Sequence, residues 1–335
     1  SVEFNNEGNI AKLIHKKSGR SVAPDGETVG KVIAYQDRPH NHEAWDIKCY
    51  FDEKSWDLDF KNAEIIEQGA VRAVYKVERT FRKSTFTEFY CIYNDLERID
   101  VDYEADWHED HVVLKADYPV DVNATKATFD IQFGNVERST TTNTTWEFAQ
   151  FEESMHKWVD LSDNSFGLSI LNDCKYGCDV KHGRIRPTLF RCATRPNTIQ
   201  DREFHSFTFS IYPHENRVND SNVVKEAYNV NYPLYAVVSE ANNGTLPSDY
   251  SLVSCDKDNV VIETVKVAED SDCIIVRAYE TWNCKTPATL TFAGKIKEAT
   301  ECNLLEEEDE SVEYTENTVS ATFKPFEIKT FKIKF

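Results

Sequence analysis

The chain has 335 residues, 40% of them hydrophobic, enough for one large core or two. Its 58 acidic against 38 basic side chains leave a formal charge of -20, a surface that repels nucleic-acid phosphates and anionic lipid headgroups, so neither nucleic acid nor a membrane is expected as a partner. No run approaches the roughly 20 apolar residues that a membrane-spanning helix needs.

The opening Ser1-Val2-Glu3-Phe4 has neither a basic n-region nor an apolar h-region, and begins in strand-like sequence as a piece cut from a longer chain would. From Ile99 to Ala105 the apolar Ile99, Val101, Tyr103 and Ala105 alternate with Asp100, Asp102 and Glu104. That period of two predicts a half-buried antiparallel strand with an acidic outer face. Phe129, Ile131 and Phe133 alternate with Asp130 and Gln132 in the same way. So do Phe207, Phe209 and Ile211 with Thr208 and Ser210, and Phe331, Ile333 and Phe335 with Lys332 and Lys334. No long segment has sustained three-to-four spacing with caps, and strands do not alternate with helices, which argues against a Rossmann domain or a parallel barrel. The predicted class is all-β. A break between Tyr212-Pro213-His214 and Tyr232-Pro233, rich in Asn, Asp and Ser, divides a large two-sheet sandwich over 1–215 from a linker over 216–232 and a smaller β-sandwich over 233–335.

Nine cysteines, an odd number scattered singly, fit reduced thiols in the cytoplasm better than a disulfide framework. Cys174 and Cys178 lack a second pair and read as two structural thiols. The sequons at Asn123 and Asn143 carry weight only in a secreted chain. The acidic run Glu306 to Glu310 reads as a solvated loop. Two clusters, His40-Asn41-His42-Glu43 and His108-Glu109-Asp110-His111, hold zinc-type ligands, but neither has helical His-Glu-x-x-His spacing or a third ligand in view. No metal site of this chain's own is expected.

Glycosidase chemistry needs two carboxyl groups about 5 Å apart for retention or about 6.5–9.5 Å for inversion, a distance that sequence does not reveal. Loops mixing aromatic, carboxylate and amide groups are the better signal for sugar contact, since rings stack on pyranose C–H faces while the polar groups bond hydroxyls. Two segments have that mix: Tyr35-Gln36-Asp37-Arg38-Pro39 through Trp45-Asp46, and Asn172-Asp173-Cys174-Lys175-Tyr176-Gly177. The competing reading of each is a polar turn stitched by its own hydrogen bonds.

The segments YQDRPHNHEAWD (35–46), HEDHVVLK (108–115), FGNVERS (133–139) and HKWVDLSDNSFGLSILNDCKYG (156–177) resemble consecutive motifs of family 38 α-mannosidases, closest to the cytosolic and bacterial branch. GNIAKLIHKKSGRSV (8–22) is similar to the family's first strand pair after its helical domain, and KPFEIKTFKI (324–333) to its last strands. The resemblance implies a retaining hydrolase of terminal α-mannosides whose aspartate nucleophile and divalent metal, commonly zinc, lie in an N-terminal catalytic domain. It also implies that the first block is a super-sandwich of the galactose-mutarotase type. This chain would then hold no catalytic residue and no cofactor, be inactive alone, and pack on that N-terminal domain. Its loops would help shape subsites for a mannoside or oligosaccharide through Tyr35, Asp37, Trp45, Asp46, Asn172, Asp173, Lys175 and Tyr176, with His156 and Trp158 as weaker candidates. The chain departs from the family where Ser139-Thr140-Thr141-Thr142 replaces a Pro and a nearby His, and where Glu147 follows Trp146 in place of Asp. The other readings are a non-catalytic carbohydrate-binding or scaffolding module and a mutarotase-like epimerase, and the sequence leaves a homo-oligomer open.

Overall fold

The period of two is realised as antiparallel strands. A computed structural model describes every residue except Pro39, His42, Asp46, Ala241, Asn242, Leu246 and Asp309. The chain folds as two units, Ser1–Asp130 with Val136–Leu234, and Ile131–Asn135 with Tyr235–Phe335.

In the first unit a nine-stranded and a six-stranded sheet share one core. The strand Ile99–Asp106 lies inside the nine-stranded sheet between Phe204–Glu215 and Ser84–Tyr93. Its apolar side chains are buried as the alternation requires, and Ile99 and Val101 each contribute about 1.5–3 kcal/mol on leaving water. The outer face is zipped by cross-strand bonds, in which the Thr208 hydroxyl donates to Asp102 (2.7 Å) and the Ser210 hydroxyl to Asp100 (2.5 Å). The six-stranded sheet runs in the order Glu153–Ser154, Gly177–Lys181, Arg184–Arg191, Val112–Pro119, Lys31–Gln36, Ser55–Asp57. Val112, Leu114, Ala116 and Tyr118 face the core, where the Tyr118 hydroxyl meets that of Tyr103 at 3.4 Å. The alternate residues Val113, Lys115 and Asp117 therefore point to the sheet's other face.

Three details differ from the sequence reading. Phe133 is not a strand residue: it occupies a two-residue turn at φ +54 between Lys126–Ile131 and Gly134–Ser139. Asp130 is buried, because its carboxylate accepts the Lys157 amide (2.8 Å). The stretch 216–232, expected as a linker, contains the 3-10 turn Val218–Asp220 and the helix Val223–Asn231. Val223, Val224 and Ala227 bury one side of that helix, and Arg98 pairs with Glu226 on it, so it is part of the first unit.

The second unit packs a four-stranded on a five-stranded sheet around Val276, Leu290, Phe292, Val319, Phe323, Phe331 and Ile333. Its acidic run is partly tied down, since Glu306 pairs with Lys266 (2.7 Å) and accepts the Glu269 amide (2.8 Å). Asp309 lies outside the described residues. All nine cysteines are free. Among the described residues no helix is long and apolar enough to cross a membrane.

Candidate functional site

The outward face of the six-stranded sheet is polar and largely buried. Lys115 donates to Asp179 (2.8 Å), Glu152 (2.5 Å) and the Arg186 carbonyl (3.1 Å), while Arg186 donates to the second oxygen of Asp179 (2.8 Å). Burial alone would depress the Lys115 ammonium, but Asp179 and Glu152 outweigh it and hold its pKa above the ordinary lysine value. Two cations and two carboxylates thus satisfy one another, as buried charge requires.

The first candidate loop starts at the edge of this layer. Tyr35 is buried against Phe51 (ring centroids 5.4 Å apart) and Ile47. Asp37, also buried, accepts Nε of Arg191 at 2.7 Å. Oδ1 of Asp37 and Nη2 of Arg191 are sealed and meet no hydrogen-bond partner among the described residues. Further along, Glu43 accepts the amide and the hydroxyl of Thr194, both at 2.8 Å, and lies 3.3 Å from Nε2 of His111. The Thr194 amide foremost holds the Glu43 carboxyl below its usual range. Trp45 is 77% exposed. A cleft of about 220 Å³ opens nearby, lined by Gln36, Arg38, Tyr50, Glu53 and Lys54. Asp46 lies outside the described residues, as do Pro39 and His42.

The second loop is a turn organised by buried Asn172. Its Oδ1 accepts the Cys174 amide (2.9 Å) and the Lys175 amide, and its side-chain amide donates to the His156 carbonyl. This is the local side-chain bonding that fits Asn to turns. Asp173 accepts the Thr208 amide at 3.1 Å through one oxygen, while the other, Oδ1, is buried. Lys175 lies over the Phe207 ring at 4.9 Å. Tyr176 is 53% exposed beside His156 (centroids 5.7 Å). Trp158 is buried, and the thiols of Cys174 (up to about 12) and Cys178 are raised by burial, which keeps them protonated. Where substrate contact was expected of all eight side chains, Tyr35, Asp37 and Asn172 are sealed against protein neighbours. Trp45, Lys175 and Tyr176 are presented outward to differing degrees. The bonds described tie each loop to its own strand neighbours.

Residues 139–147 form a third element. The helix Thr145–Ala149 carries a capping box, in which Thr144 and Glu147 each accept the other's backbone N–H. Glu147 also accepts the Ser139 hydroxyl (2.8 Å) and the Thr141 hydroxyl (2.9 Å), bonds that lower its pKa to about 2. Nζ of Lys181 donates to the Ser139 carbonyl (2.8 Å) and the Glu147 carbonyl (3.2 Å). Ser139, Thr141 and Glu147 are therefore each other's partners, and they hold Trp146, 85% exposed, out in solvent. Sequence reasoning missed Trp146 as a presented ring, although the Thr144-x-x-Glu147 capping signature that encloses it was visible.

The four side chains at 108–111 diverge. His108 meets Asp106 (2.9 Å), Glu109 accepts the Ser84 hydroxyl (3.0 Å), Asp110 pairs with Arg202 (2.9 Å), and His111 turns to Glu43. Among the described residues no three His, Cys, Asp or Glu side chains converge as metal ligands. The residues present do not fit the divalent metal that the resemblance implies for the catalytic domain.

The description "Glycosyl hydrolases family 38 C-terminal domain" matches residues 1–198, and "Glycosyl hydrolases family 38 C-terminal beta sandwich domain" matches 259–331. The chain is 34% identical to Alpha-mannosidase G of Dictyostelium discoideum, over 99% of itself and 32% of that protein. It is 30% identical to Alpha-mannosidase 2C1 of Homo sapiens, over 98% of itself and 32% of that protein. It spans about a third of the length of the curated relatives it matches. An α-mannosidase structure from Enterococcus faecalis V583 has the same fold, with a TM-score of 0.83 at 16% identity, covering 99% of this chain and 41% of that one. On the match over 1–198 and the full-length similarity to these relatives, the chain belongs to glycosyl hydrolase family 38, as that family's C-terminal β region.

Proposed function

We propose that this chain is the accessory β region of a retaining α-mannosidase that hydrolyses terminal α-D-mannosides, and that it works by shaping substrate subsites. Its super-sandwich domain is 1–215 together with the helix Val223–Asn231, and its small sandwich lies within 233–335. The observation that carries the reading is the match along almost the whole chain to curated α-mannosidases three times as long. The N-terminal catalytic domain is the partner, and it supplies the nucleophile and a divalent metal, zinc by the family's habit. The compartment is the cytoplasm, in keeping with nine free thiols.

Within this reading, Trp45 and Tyr176 offer rings to a sugar face and Lys175 a donor to its hydroxyls, while Asp173, with one oxygen on the Thr208 amide and the other buried, helps to hold the loop. Tyr35, Asp37 and Asn172 act by fixing the loops that carry them. Asp46 joins the set on sequence grounds. The test is hydrolysis of a chromogenic α-mannoside. The isolated chain is expected to give none, and activity is expected to appear when the N-terminal domain is supplied. Metal-dependent turnover by the chain alone would overturn the reading. Titration with mannobiose by calorimetry separates it from a free-standing carbohydrate-binding module, which would bind without the other domain.

A further inference from the structure

The segment after the helix Val223–Asn231 is unlike the rest of the surface. Between Glu226 and Asp249 only Glu240 is charged, in a chain where 29% of residues are. Leu234, Tyr235, Val237 and Val238 are each at least 87% exposed. The peptide groups of 233–240 make no hydrogen bond to any other described residue. The start of the segment is nonetheless fixed. Tyr232 stacks on Tyr228 of the helix (centroids 5.7 Å, 17° between planes), and Pro233 restricts the backbone where it leaves. Four large apolar side chains in water, on a backbone whose amides and carbonyls meet no other described residue, form a surface that soluble proteins cover.

We propose that residues 233–240 are a docking arm, seated in an apolar groove of the part of the longer polypeptide that lies outside this third, with its backbone paired there. The proposal rests on the reading of the chain as one part of a longer mannosidase and names the element that joins the parts. Two observations favour that occupant. The relatives match this chain over 98–99% of its length, yet have about two thirds of their own length left over. A second copy of this chain is the poorer occupant, because it would bring another net charge of -20 against the first.

Hydrogen exchange read by mass spectrometry tests the arm directly. In this chain the amides of 234–240 are expected to exchange as in free peptide, and in the longer polypeptide to slow by about 100-fold or more. The double variant Leu234→Asp/Val238→Asp is expected to leave the melting temperature of this chain unchanged, since its targets are solvent-exposed here. With the remaining part of the polypeptide supplied as a separate chain, it should weaken association with this one by about 10-fold or more, as loss of an interface anchor does. An active longer polypeptide with an unprotected arm would overturn the docking and leave the mannosidase reading standing. A protected arm in a longer polypeptide without mannosidase activity would support the docking and sink that reading. Protection in this chain alone, together with a dimer on sedimentation, would assign the arm to a second copy and overturn the proposal.

Discussion

Nζ of Lys115 sits 2.8 Å from Oδ2 of Asp179, and neither side chain reaches solvent. The pair anchors the polar layer from which the first candidate loop departs. Lys115→Ala leaves Asp179 with Arg186 alone and Glu152 with no cation, and is expected to lower the unfolding free energy by about 3–5 kcal/mol in urea titration. A variant as stable as the parent would mean that the layer is not held by this charge.

Asp130 should give the protein a pH slope. Burial pushes its carboxyl up to about 7, against the lowering effect of the Lys157 amide. The folded state therefore keeps a proton that the unfolded chain releases near the ordinary carboxylate value, so stability falls as pH rises from about 4 to about 7. Melting temperatures across that range are expected to decline, and Asp130→Asn to flatten the decline. An unchanged slope in the variant would assign it to other groups.

His214 acts with the opposite charge type. Burial alone would lower its pKa, but the Asp160 carboxylate 2.7 Å away raises it above the ordinary imidazole value. The stability it contributes is full below about 6.5 and is lost as pH rises through the raised folded value. Asp160→Asn should therefore cost more stability near pH 6 than near pH 9, measured by chemical denaturation at both. The site is tight: a Cβ on Gly167 would stand 2.4 Å from Cβ of Ser162 and 2.9 Å from Cε1 of His214, so Gly167→Ala should be destabilising at either pH.

Tyr176 is expected to matter for substrate and little for folding. In the active longer polypeptide Tyr176→Ala should raise KM for an α-mannoside by about 3- to 10-fold with kcat nearly unchanged, the size and sign of a lost ring contact. The melting temperature of the isolated chain should stay put, because the ring is half exposed. A pure stability defect would remove Tyr176 from the candidate set.

In the second unit, buried Glu280 accepts the amides of Trp282 (2.6 Å), Cys284 (3.1 Å) and Phe326 (3.1 Å) and the Asn259 side chain (2.9 Å). Glu280→Gln turns an N–H toward donors, and is expected to cost about 1–3 kcal/mol in the unfolding of that unit. The Trp282 environment, followed by fluorescence, reports it.

The class and the strands were legible because alternation survives wherever one sheet face is wet, as in Ile99–Asp106. The same alternation carried the reading through the turn at Phe133, since nothing in the residue types marks a positive φ there. Asp130 looked like an outer-face residue because its partners, the Lys157 amide and the Trp158 indole, are brought by another strand. The helix Val223–Asn231 was hidden by its nine residues, too few for a periodic stripe to stand out. Tyr35, Asp37 and Asn172 were read as sugar contacts because the residue types that hold sugars also stitch loops. What separates the two uses is a neighbour such as Arg191, 154 positions from Asp37, which composition does not reveal.

The closed set formed by Ser139, Thr141 and Glu147 makes that loop a single heritable unit. A proline imported at 139 would delete a hydroxyl that Glu147 needs, and an aspartate at 147 would fall one methylene short of both hydroxyls. Grafting the corresponding stretch from a relative should therefore succeed only when the whole of 139–147 is exchanged together, and single-position swaps should leave Trp146 on a loosened stem.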